Sequence, residues 1–386
     1  MITRRAFFHA AAAAGLYSAL PSLTLAAANS DKRLVVIIQR GGMDALDAIQ
    51  PIGDANYAKL RPTLAGGIQP SKSFAIDNFF AFHESLQPLQ PLFQAKELSI
   101  IHSVSTPYRL RSHFEAQDYL ERGADAFATS DSGWVNRLIT LMGGRKINFA
   151  ADIGAGSQLI LRGPAPTLNI TTNSDLGFWA DATQFLDLLY KDDKDFAPVM
   201  AGVHANLDEA KMMDDHNPAK GIEATCGLAA RMLKEECRIA AFSIYGWDTH
   251  EGQQGRLSKS LEALATAITT LKAQLGPVWD NTLVIAASEF GRTAHFNGTG
   301  GTDHGTGGAA FLAGGLLANG EGGKVINKKW PGLSDDKLFE GRDLMPTDDV
   351  RRYMAWALAD LYNLSPNDIA TKIFPGVDVG QRVKLI

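Results

Sequence analysis

Cysteine is scarce in this sequence: Cys226 and Cys237 are the only two among 386 residues. Two cysteines do not make the disulfide framework of a small secreted protein. Neither stands in a spacing typical of a thiolate metal site, so that kind of site is excluded. The two could pair after export. Because one lies in a predicted helix and the other at the start of a predicted strand, we expect two buried free thiols instead.

The chain also lacks a basic stripe, a domain linker and an internal repeat. Its 37 Lys and Arg stand against 42 Asp and Glu, a formal net charge of -5, so nucleic acid is not an expected partner. With 45% hydrophobic residues, the length is enough for a large core. We therefore expect a single large domain over residues 29–386, with a helical elaboration at about residues 178–236.

No hydrophobic run is long enough for a stable membrane span, and the N-terminal apolar segment is of another kind. The pair Arg4-Arg5 precedes an alanine-rich, weakly apolar segment that ends in three alanines. An uncleaved membrane anchor is the alternative, but His9, Pro21 and the shortness of the run argue against it. Residues 1–28 are therefore predicted to be a twin-arginine signal peptide. This implies the translocase as a partner during export and a periplasmic or secreted location.

Apolar runs typical of buried strands end in polar side chains at several points. Thr282–Ala287 is apolar at nearly every position, which suits a parallel strand covered on both faces. Glu289 and Arg292 follow at once, and a glycine-rich loop then leads to His304. In open α/β sheets, ligands bind outside the carboxyl ends of the strands. A carboxylate, a guanidinium and an imidazole are thus predicted to lie where such folds place their sites.

Two further predicted strands end in the same way. Leu34–Gln39 leads through two glycines to Asp44, which could be a ligand, a solvated turn residue or a helix N-cap. Cys237–Tyr245 leads to Asp248 and His250, which lie on the same side if their loop stays extended. We expect these side chains to meet at one edge of the sheet.

Ser112 stands at the start of a helix predicted from about His113 to the residue before Gly123. Its spacing from Glu115 is that of a capping box, which explains the serine structurally. At a helix N-terminus the same serine could act as a nucleophile or bind an anion. Arg111 beside it could bind an anion or be an ordinary surface arginine. Both interpretations stay open from the sequence.

The remaining predicted elements surround these segments. The last predicted helix begins at Thr347, with Asp348 and Asp349 in its first turn. Other helices are predicted over residues 83–95, 134–142 and 258–275, and further strands over 98–104, 149–153, 158–161 and 309–313.

Carboxylate oxygen and imidazole nitrogen together predict a divalent metal site. This mixture suits Zn, Mn or a similar ion, and Mg or Ca at any all-oxygen position. Two ions a few ångströms apart could hold both oxygens of an in-line displacement. The candidate ligands are Asp44, Asp248, His250, Glu289 and His304.

Several segments resemble a known group of enzymes. Asp280–Gly291 is similar to the strand and metal loop of sulfatases, and Ile101–Gly123 resembles the nucleophile-bearing segment of sulfatases and phosphodiesterases. The order of the candidate residues resembles the alkaline phosphatase superfamily. The closer match is to its twin-arginine-exported, sulfatase-like branch, domain of unknown function 1501, over nearly the whole mature chain. The resemblance implies an α/β fold with a mostly parallel sheet sandwiched between helices.

Carried over residue by residue, the resemblance also implies roles. Asp248, His250 and His304 would hold one ion, and Asp44 and Glu289 a second, with Ser112 facing both. Phe290 stands where those enzymes have a second ligand, which leaves open one ion or two. No cysteine lies in the nucleophile segment, so a formylglycine sulfatase of the usual kind is excluded.

Two functions are compatible with these residues. The first is an exported, metal-dependent hydrolase of phosphate or sulfate esters, in which Ser112 attacks while Arg292 and Arg111 neutralise equatorial oxygens. The second is a non-catalytic periplasmic protein with a degenerate metal site, favoured by Phe290. The expected ligand is accordingly a small anionic ester or an envelope polymer.

Overall fold

The computed structural model describes residues 30–62, 73–124, 131–144, 146–154, 157–170, 218–327 and 329–386. The predicted signal peptide, residues 1–28, lies outside the described residues, as does most of the predicted helical elaboration. All candidate site residues are described.

Within the described residues, the strands form one large and one small sheet. In chain order they are β1 (Arg33–Gln39), β2 (Ile49–Gln50), β3 (Ser73–Ala75), β4 (Ala81–His83), β5 (Leu98–Ser105), β6 (Ala150–Ile153), β7 (Leu168–Ile170), β8 (Ile239–Ile244), β9 (Thr282–Ser288), β10 (Gly308–Ala313) and β11 (Asp348–Asp349).

The large sheet has the spatial order β11-β5-β10-β9-β1-β8-β6-β7, and β2-β4-β3 form the small one. Neighbours in the large sheet are parallel except where β10 pairs with β5 and β9. The mostly parallel sheet predicted from continuous apolar runs is therefore confirmed. Because β9, β1 and β8 are adjacent and parallel, their carboxyl ends lie together at one edge.

Helices cover the large sheet, and none in the described part of the chain is long and apolar enough to cross a bilayer. The α-helices are α1 (Ala45–Ala48), α2 (Tyr57–Leu60), α3 (Gln90–Gln94), α4 (His113–Arg122), α5 (Trp134–Met142), α6 (Pro218–Lys234), α7 (Gln253–Leu275), α8 (Val350–Tyr362) and α9 (Pro366–Asp368). Shorter 3-10 turns span Glu84–Leu89, Ile147–Phe149, Leu159–Leu161, Gly276–Asn281 and Gly315–Asn319, and a π turn spans Ile369–Ile373.

Two hydrophobic cores lie on the two faces of the sheet. Val35 and Ile37 of β1 join one core with residues of α6 and α7. Leu34 and Ile38 join the other with residues of α5 and α8. Each such side chain contributes roughly 1.5–3 kcal/mol when fully buried. Burial on both faces is the reason that β1 is apolar at successive positions, and it confirms the layered α/β fold.

Both cysteines are buried and free, as expected. Burial raises the pKa of the Cys226 thiol and raises that of Cys237 to about 11. Thiols with raised pKa values are poor nucleophiles at neutral pH, so neither is a candidate for chemistry.

Two predicted elements differ in type. The strand predicted over residues 158–161 is a 3-10 turn, because Gln158 bonds the Asp152 carboxylate through its backbone amide, at 2.7 Å, instead of pairing with a strand. The helix predicted over residues 83–95 is divided between a 3-10 turn and α3. Pro88 lies inside the 3-10 turn, where it removes an amide donor that a continuous α-helix would use.

Two helix starts also differ from prediction. Helix α7 begins at Gln253 rather than at residue 258. Helix α8 begins at Val350 because the Asp349 side chain accepts the Arg351 amide at 2.9 Å, which makes Asp349 the N-cap. Thr347 is not the cap, and its hydroxyl donates to the Ser103 carbonyl at 3.2 Å.

Candidate metal centre

The carboxyl edge of the sheet brings together side chains from separate segments. One pair follows β8, a second pair follows β9, one imidazole opens α4, and another lies on the loop before β10. They are Asp248 and His250, Glu289 and Arg292, His113, and His304.

Three imidazoles direct the corresponding ring nitrogen, Nε2, towards one another. His304 Nε2 lies 3.0 Å from His113 Nε2 and 3.0 Å from His250 Nε2. Asp248 Oδ1 lies 3.2 Å from His304 Nε2 and 3.0 Å from His250 Nε2. Donor atoms of His113, Asp248 and His304 all lie within 4.8 Å of one another. His250 extends this group from the far side of His304.

The other ring nitrogen of each imidazole faces an acceptor, which assigns its proton to Nδ1. The Nε2 lone pairs are then left facing one another, an arrangement that is repulsive without a cation. Imidazoles that bind metals are held in this way, with a carboxylate or carbonyl on the second nitrogen. The pairs are His113 with Glu289 at 2.8 Å, His250 with Asp303 at 3.0 Å and His304 with the Arg111 carbonyl at 2.9 Å. The group is therefore a candidate metal site.

Glu289 is fully buried, and its oxygens are occupied by protein donors. Oε1 accepts from the Gly41 amide at 2.9 Å and from Gln117 at 3.1 Å as well as from His113, and Oε2 accepts from the Ser288 hydroxyl at 2.9 Å. Burial pushes the pKa of Glu289 upward, but the hydrogen bonds outweigh burial and the pKa is lowered. The resulting carboxylate orients His113 and raises its pKa, which makes the ring a stronger base. Glu289, a predicted ligand, contacts this site through His113.

Arg292 is buried and holds Asp248. Its Nη1 donates to Asp248 Oδ1 at 2.6 Å, and its Nε donates to the Thr302 hydroxyl at 3.2 Å. Burial raises the pKa of Asp248, but the bond from Arg292 outweighs burial and the pKa falls below its usual value. The Arg292 side chain is 0% exposed, so it positions Asp248 and is closed to a substrate.

Arg111 contributes its backbone rather than its guanidinium. The guanidinium is bound by Asp343, at 2.8 Å and 3.0 Å, and by Glu340 at 2.5 Å. The backbone has a φ of 61°, which is uncommon for a residue with a side chain. Its carbonyl accepts from His304 Nδ1. Arg111 therefore fixes one imidazole of the site.

In the sequence, Ser112 stands between Arg111 and His113, which both belong to the site, but it does not cap α4. Its side chain makes no cap hydrogen bond. Glu115 accepts instead from the Tyr108 hydroxyl at 2.5 Å. The predicted capping box is wrong, because Tyr108 takes the carboxylate that the box requires. The half-buried Ser112 hydroxyl stays beside His113 at the N-terminus of the helix.

Asp44 belongs to a different cluster. Its carboxylate pairs with buried Arg61 at 2.8 Å and 3.0 Å and accepts from Gln253 at 2.6 Å. It also caps α1 by accepting the Leu46 and Asp47 amides, so the N-cap interpretation is confirmed. Its oxygens are thus occupied by protein donors. Within the described residues, no bond joins it to the imidazoles.

Phe290 forms an apolar wall beside the imidazoles. Its buried ring lies 4.8 Å from the His113 ring and 5.3 Å from the His304 ring. A Cβ at Gly42 would meet this ring at 2.6 Å, so glycine is required for the close approach. The position where the resemblance places a second ligand is therefore filled by a hydrocarbon ring.

His113 is the member of the site that the sequence analysis did not include among the ligands. Ser112, next to it in the sequence, has both a nucleophile and a capping interpretation. The available signal was an imidazole at the first residue of a helix that follows a strand of the same sheet. Such a residue shares the carboxyl edge with the other strand ends.

Residues 102–325 match the model of the family described as "Protein of unknown function (DUF1501)". No curated protein matches the chain. Among solved structures, the chain is similar to an alkaline phosphatase from the Antarctic bacterium TAB5, with 13% identity over 73% of this chain and 91% of that one and a TM-score of 0.36.

The chain is also similar to two other solved structures. The C-terminal periplasmic domain of EcEptC from Escherichia coli has 8% identity, covers 92% of this chain and 90% of that one, and has a TM-score of 0.41. The lipoteichoic acid synthase LtaP from Listeria monocytogenes has 10% identity, 91% and 77% coverage, and a TM-score of 0.37. Likeness at this level carries no argument about substrate or mechanism.

Proposed function

The chain belongs to the DUF1501 family of proteins of unknown function, and we propose that it is a metal-dependent hydrolase of phosphate or sulfate esters. The observation that carries the proposal is the convergence of three imidazole Nε2 atoms with an Asp248 oxygen. Nitrogen donors with one carboxylate oxygen suit zinc better than magnesium or calcium. His113, Asp248 and His304 would hold the ion, with His250 as a further ligand.

A divalent ion held by these residues would supply Lewis acidity towards an ester oxygen. The chain's own residues hold the ligands: Glu289 and Asp303 orient two imidazoles, and Arg292 keeps Asp248 ionised. Phe290 excludes water from one side of the group. These residues fix the geometry of the metal ligands before the substrate binds. Such preorganisation is the source of most enzymatic stabilisation of charge.

Ser112 is the candidate nucleophile. Its oxygen would attack phosphorus or sulfur, its proton would pass to the departing alcohol, and water would then cleave the seryl ester and restore the serine. The N-terminus of α4 favours the anionic group of the ester. The Ser112 hydroxyl makes no cap hydrogen bond to α4, which supports a role for it outside the helix.

Metal content and turnover test this function together. Protein loaded with Zn, Mn, Mg or Ca is assayed against aryl phosphates, phosphodiesters and aryl sulfates. We expect zinc to be retained and turnover to disappear on chelation and return with zinc. Folded, zinc-loaded protein that cleaves none of these esters would contradict the proposal.

Replacing Ser112 tests the nucleophile. Ser112→Ala should abolish turnover, keep the metal and cost less than the roughly 0.5–2 kcal/mol of a lost N-cap. Ser112→Asp should also be folded and inactive. Ser365→Ala is the matched control, because Ser365 does cap its helix by accepting the Asp368 amide at 3.0 Å. The control should lose stability and keep turnover. Wild-type turnover in Ser112→Asp would exclude the serine as the attacking group.

A non-catalytic protein that binds an envelope polymer through the same site is the second candidate. It is favoured by the two arginines that the sequence predicts to be catalytic, since Arg292 is bound by Asp248 and Arg111 by Asp343 and Glu340. Neither guanidinium is then directed at substrate oxygens. Retained zinc without turnover, together with binding to isolated envelope polymers, would support this candidate over the hydrolase.

We also infer export by the twin-arginine route, with the translocase as a transient partner and a periplasmic or secreted mature protein. A protein that must acquire one particular ion before export fits a route that carries folded proteins. Changing Arg4 and Arg5 to lysine should leave the precursor in the cytoplasm. Normal accumulation of that variant outside the cytoplasm, measured by cell fractionation, would contradict this inference.

A further inference from the structure

A cavity of about 370 Å³ lies along α4, the helix that begins at His113. One wall is a stripe of α4 at helical spacing, formed by Phe114, Gln117, Asp118 and Glu121. Another wall comes from the residues that follow β1 and β8. Gln117 joins the two sites, because it lines the cavity and also donates to Glu289 at 3.1 Å. The cavity is therefore linked to the metal centre through Gln117, Glu289 and His113.

The basic residue of the cavity wall is already neutralised. Arg40 forms an ion pair with Glu121 at 2.7 Å and donates to Gln117 at 2.8 Å and to Ser243 at 2.9 Å. Burial lowers the pKa of Arg40, but Glu121 outweighs burial and the pKa is raised, so Arg40 stays charged. Among the described residues that line the cavity, an anionic group would find no cation that is not already bound to a carboxylate.

Two more carboxylates line the cavity. Asp118 is half-exposed, and its ion pair with Arg122 on the same helix, at 3.4 Å, is of the weak surface kind. Glu115 accepts from a neutral phenol, that of Tyr108, which leaves its negative charge uncompensated by that bond. The cavity therefore carries excess negative charge.

Two exposed aromatic rings stand at the same cavity. Phe114 is 85% exposed and Tyr245 is 66% exposed, and both line it. Isolated exposed apolar residues are ordinary, but two rings beside uncompensated carboxylates are a specific combination. An ammonium group is attracted both by the faces of aromatic rings and by carboxylates. The cavity thus has the chemistry of a cation-binding pocket.

We propose that this cavity binds a positively charged amine carried by the alcohol part of the substrate. The protein would then select esters of amino alcohols, with the anionic ester group at the metal centre and the ammonium group in the cavity. This inference deepens the proposed hydrolase function and rests on it for the ester. The cavity's preference for a cation can be measured separately.

The test compares choline with 3,3-dimethylbutan-1-ol, which has the same shape without the charge. Titration calorimetry on the zinc-loaded full chain should show choline binding at least tenfold more tightly. Salt should reduce that preference, because charge attraction is screened. Equal binding of the two compounds, or tighter binding of methyl glucoside than of choline, would overturn the proposal.

Variants locate the preference. The double variant Glu115→Gln with Asp118→Asn should lose most of the choline preference and keep its zinc, since neither residue belongs to the imidazole group. Glu235→Gln is the matched control, because Glu235 is exposed and precedes the amino end of β8, at the opposite edge of the sheet. Wild-type choline affinity in the double variant would overturn the assignment to this cavity.

The two proposals fail in different ways. Choline binding without cleavage of any ester would leave the cavity as a cation site and overturn the hydrolase. Cleavage of aryl phosphates without choline binding would leave the hydrolase and overturn the cavity. With both intact, phosphocholine should be cleaved at least tenfold more efficiently, by kcat/KM, than 3,3-dimethylbutyl phosphate.

Discussion

Asp44 and Asp248 follow adjacent parallel strands, and each is bound by a buried arginine, yet their surroundings differ. The Asp44 carboxylate receives two bonds from Arg61, one from Gln253 and two from helix amides. Asp248 receives its 2.6 Å bond from Arg292 and otherwise faces imidazole nitrogens. Around Asp44, hydrogen-bond donors match the carboxylate acceptors. Around Asp248, hydrogen-bond acceptors outnumber the donors.

This difference decides which cluster can take a cation. Imidazole lone pairs and a carboxylate directed at one point repel one another until a positive charge enters. Arg61 already occupies the equivalent position at Asp44. A strand-end aspartate is therefore a ligand or a structural residue according to whether the protein has supplied its cation.

The largest effect is expected from removing the central imidazole. His304→Ala should retain less than about a tenth of the bound zinc and unfold at a lower temperature, because ligand binding to the native state adds stability. His295 is an exposed histidine on the same loop, and His295→Ala should keep both the bound zinc and the unfolding temperature. Full zinc content in His304→Ala, measured by elemental analysis, would place the metal elsewhere.

Breaking the other cluster should reduce stability without affecting the metal. Arg61→Met leaves the Asp44 carboxylate buried without its ion pair, at a cost of about 3–5 kcal/mol. Adding Asp44→Asn should recover part of this loss, because it removes the unpaired charge. Folded Arg61→Met protein should keep its zinc, as judged by denaturant unfolding and elemental analysis. Zinc loss in the folded variant would show that the two clusters are one unit.

A smaller effect is expected from the carboxylates that orient the imidazoles. Glu289→Gln should weaken zinc binding roughly 10–100-fold, because the neutral amide is a poorer acceptor for His113. Asp303→Asn should weaken it less than about tenfold, since Asp303 is 49% exposed and water can replace its bond. Chelator competition measures both. A larger loss of zinc affinity in Asp303→Asn than in Glu289→Gln would contradict the idea that the buried carboxylate matters more.

The smallest effect concerns Asp47, which is buried beside Asp44. Burial and then the Asp44 charge raise its pKa above the ordinary value. The native state then binds this proton more readily than the unfolded chain, so this contribution to stability is largest below the unfolded pKa of 3.8 and is lost as pH rises through the folded pKa. Asp47→Asn should remove this loss of stability with rising pH and increase the free energy of unfolding by about 0.5–1 kcal/mol at neutral pH. Unfolding measured against pH tests this, with exposed Asp335→Asn expected to show no change.

The sequence by itself determined the layers of the fold and the edge that carries the site. Continuous apolar runs such as β1 and β9 are a local record of burial on two faces, and α4 ends before Gly123 as its sequence predicts. The positions of Asp248, His250, Glu289 and His304 after strands or on the glycine loop followed from the same patterns. Local sequence encodes these features because each depends on near neighbours.

Only the tertiary structure decided the partner of each polar group. Asp44 bonds Arg61. Glu289 contacts His113, 176 residues away in the sequence, and His113 contacts His304, 191 residues away. The capping box of Ser112 and Glu115 does not form, and the Tyr108 hydroxyl instead donates to the Glu115 carboxylate and accepts from the Ser112 amide. Hydrogen bonds of this kind depend on distances between segments that the fold brings together, and no local pattern records them. The place of His113 in the candidate metal site and the structural role of Asp44 were therefore set by packing and not by sequence spacing.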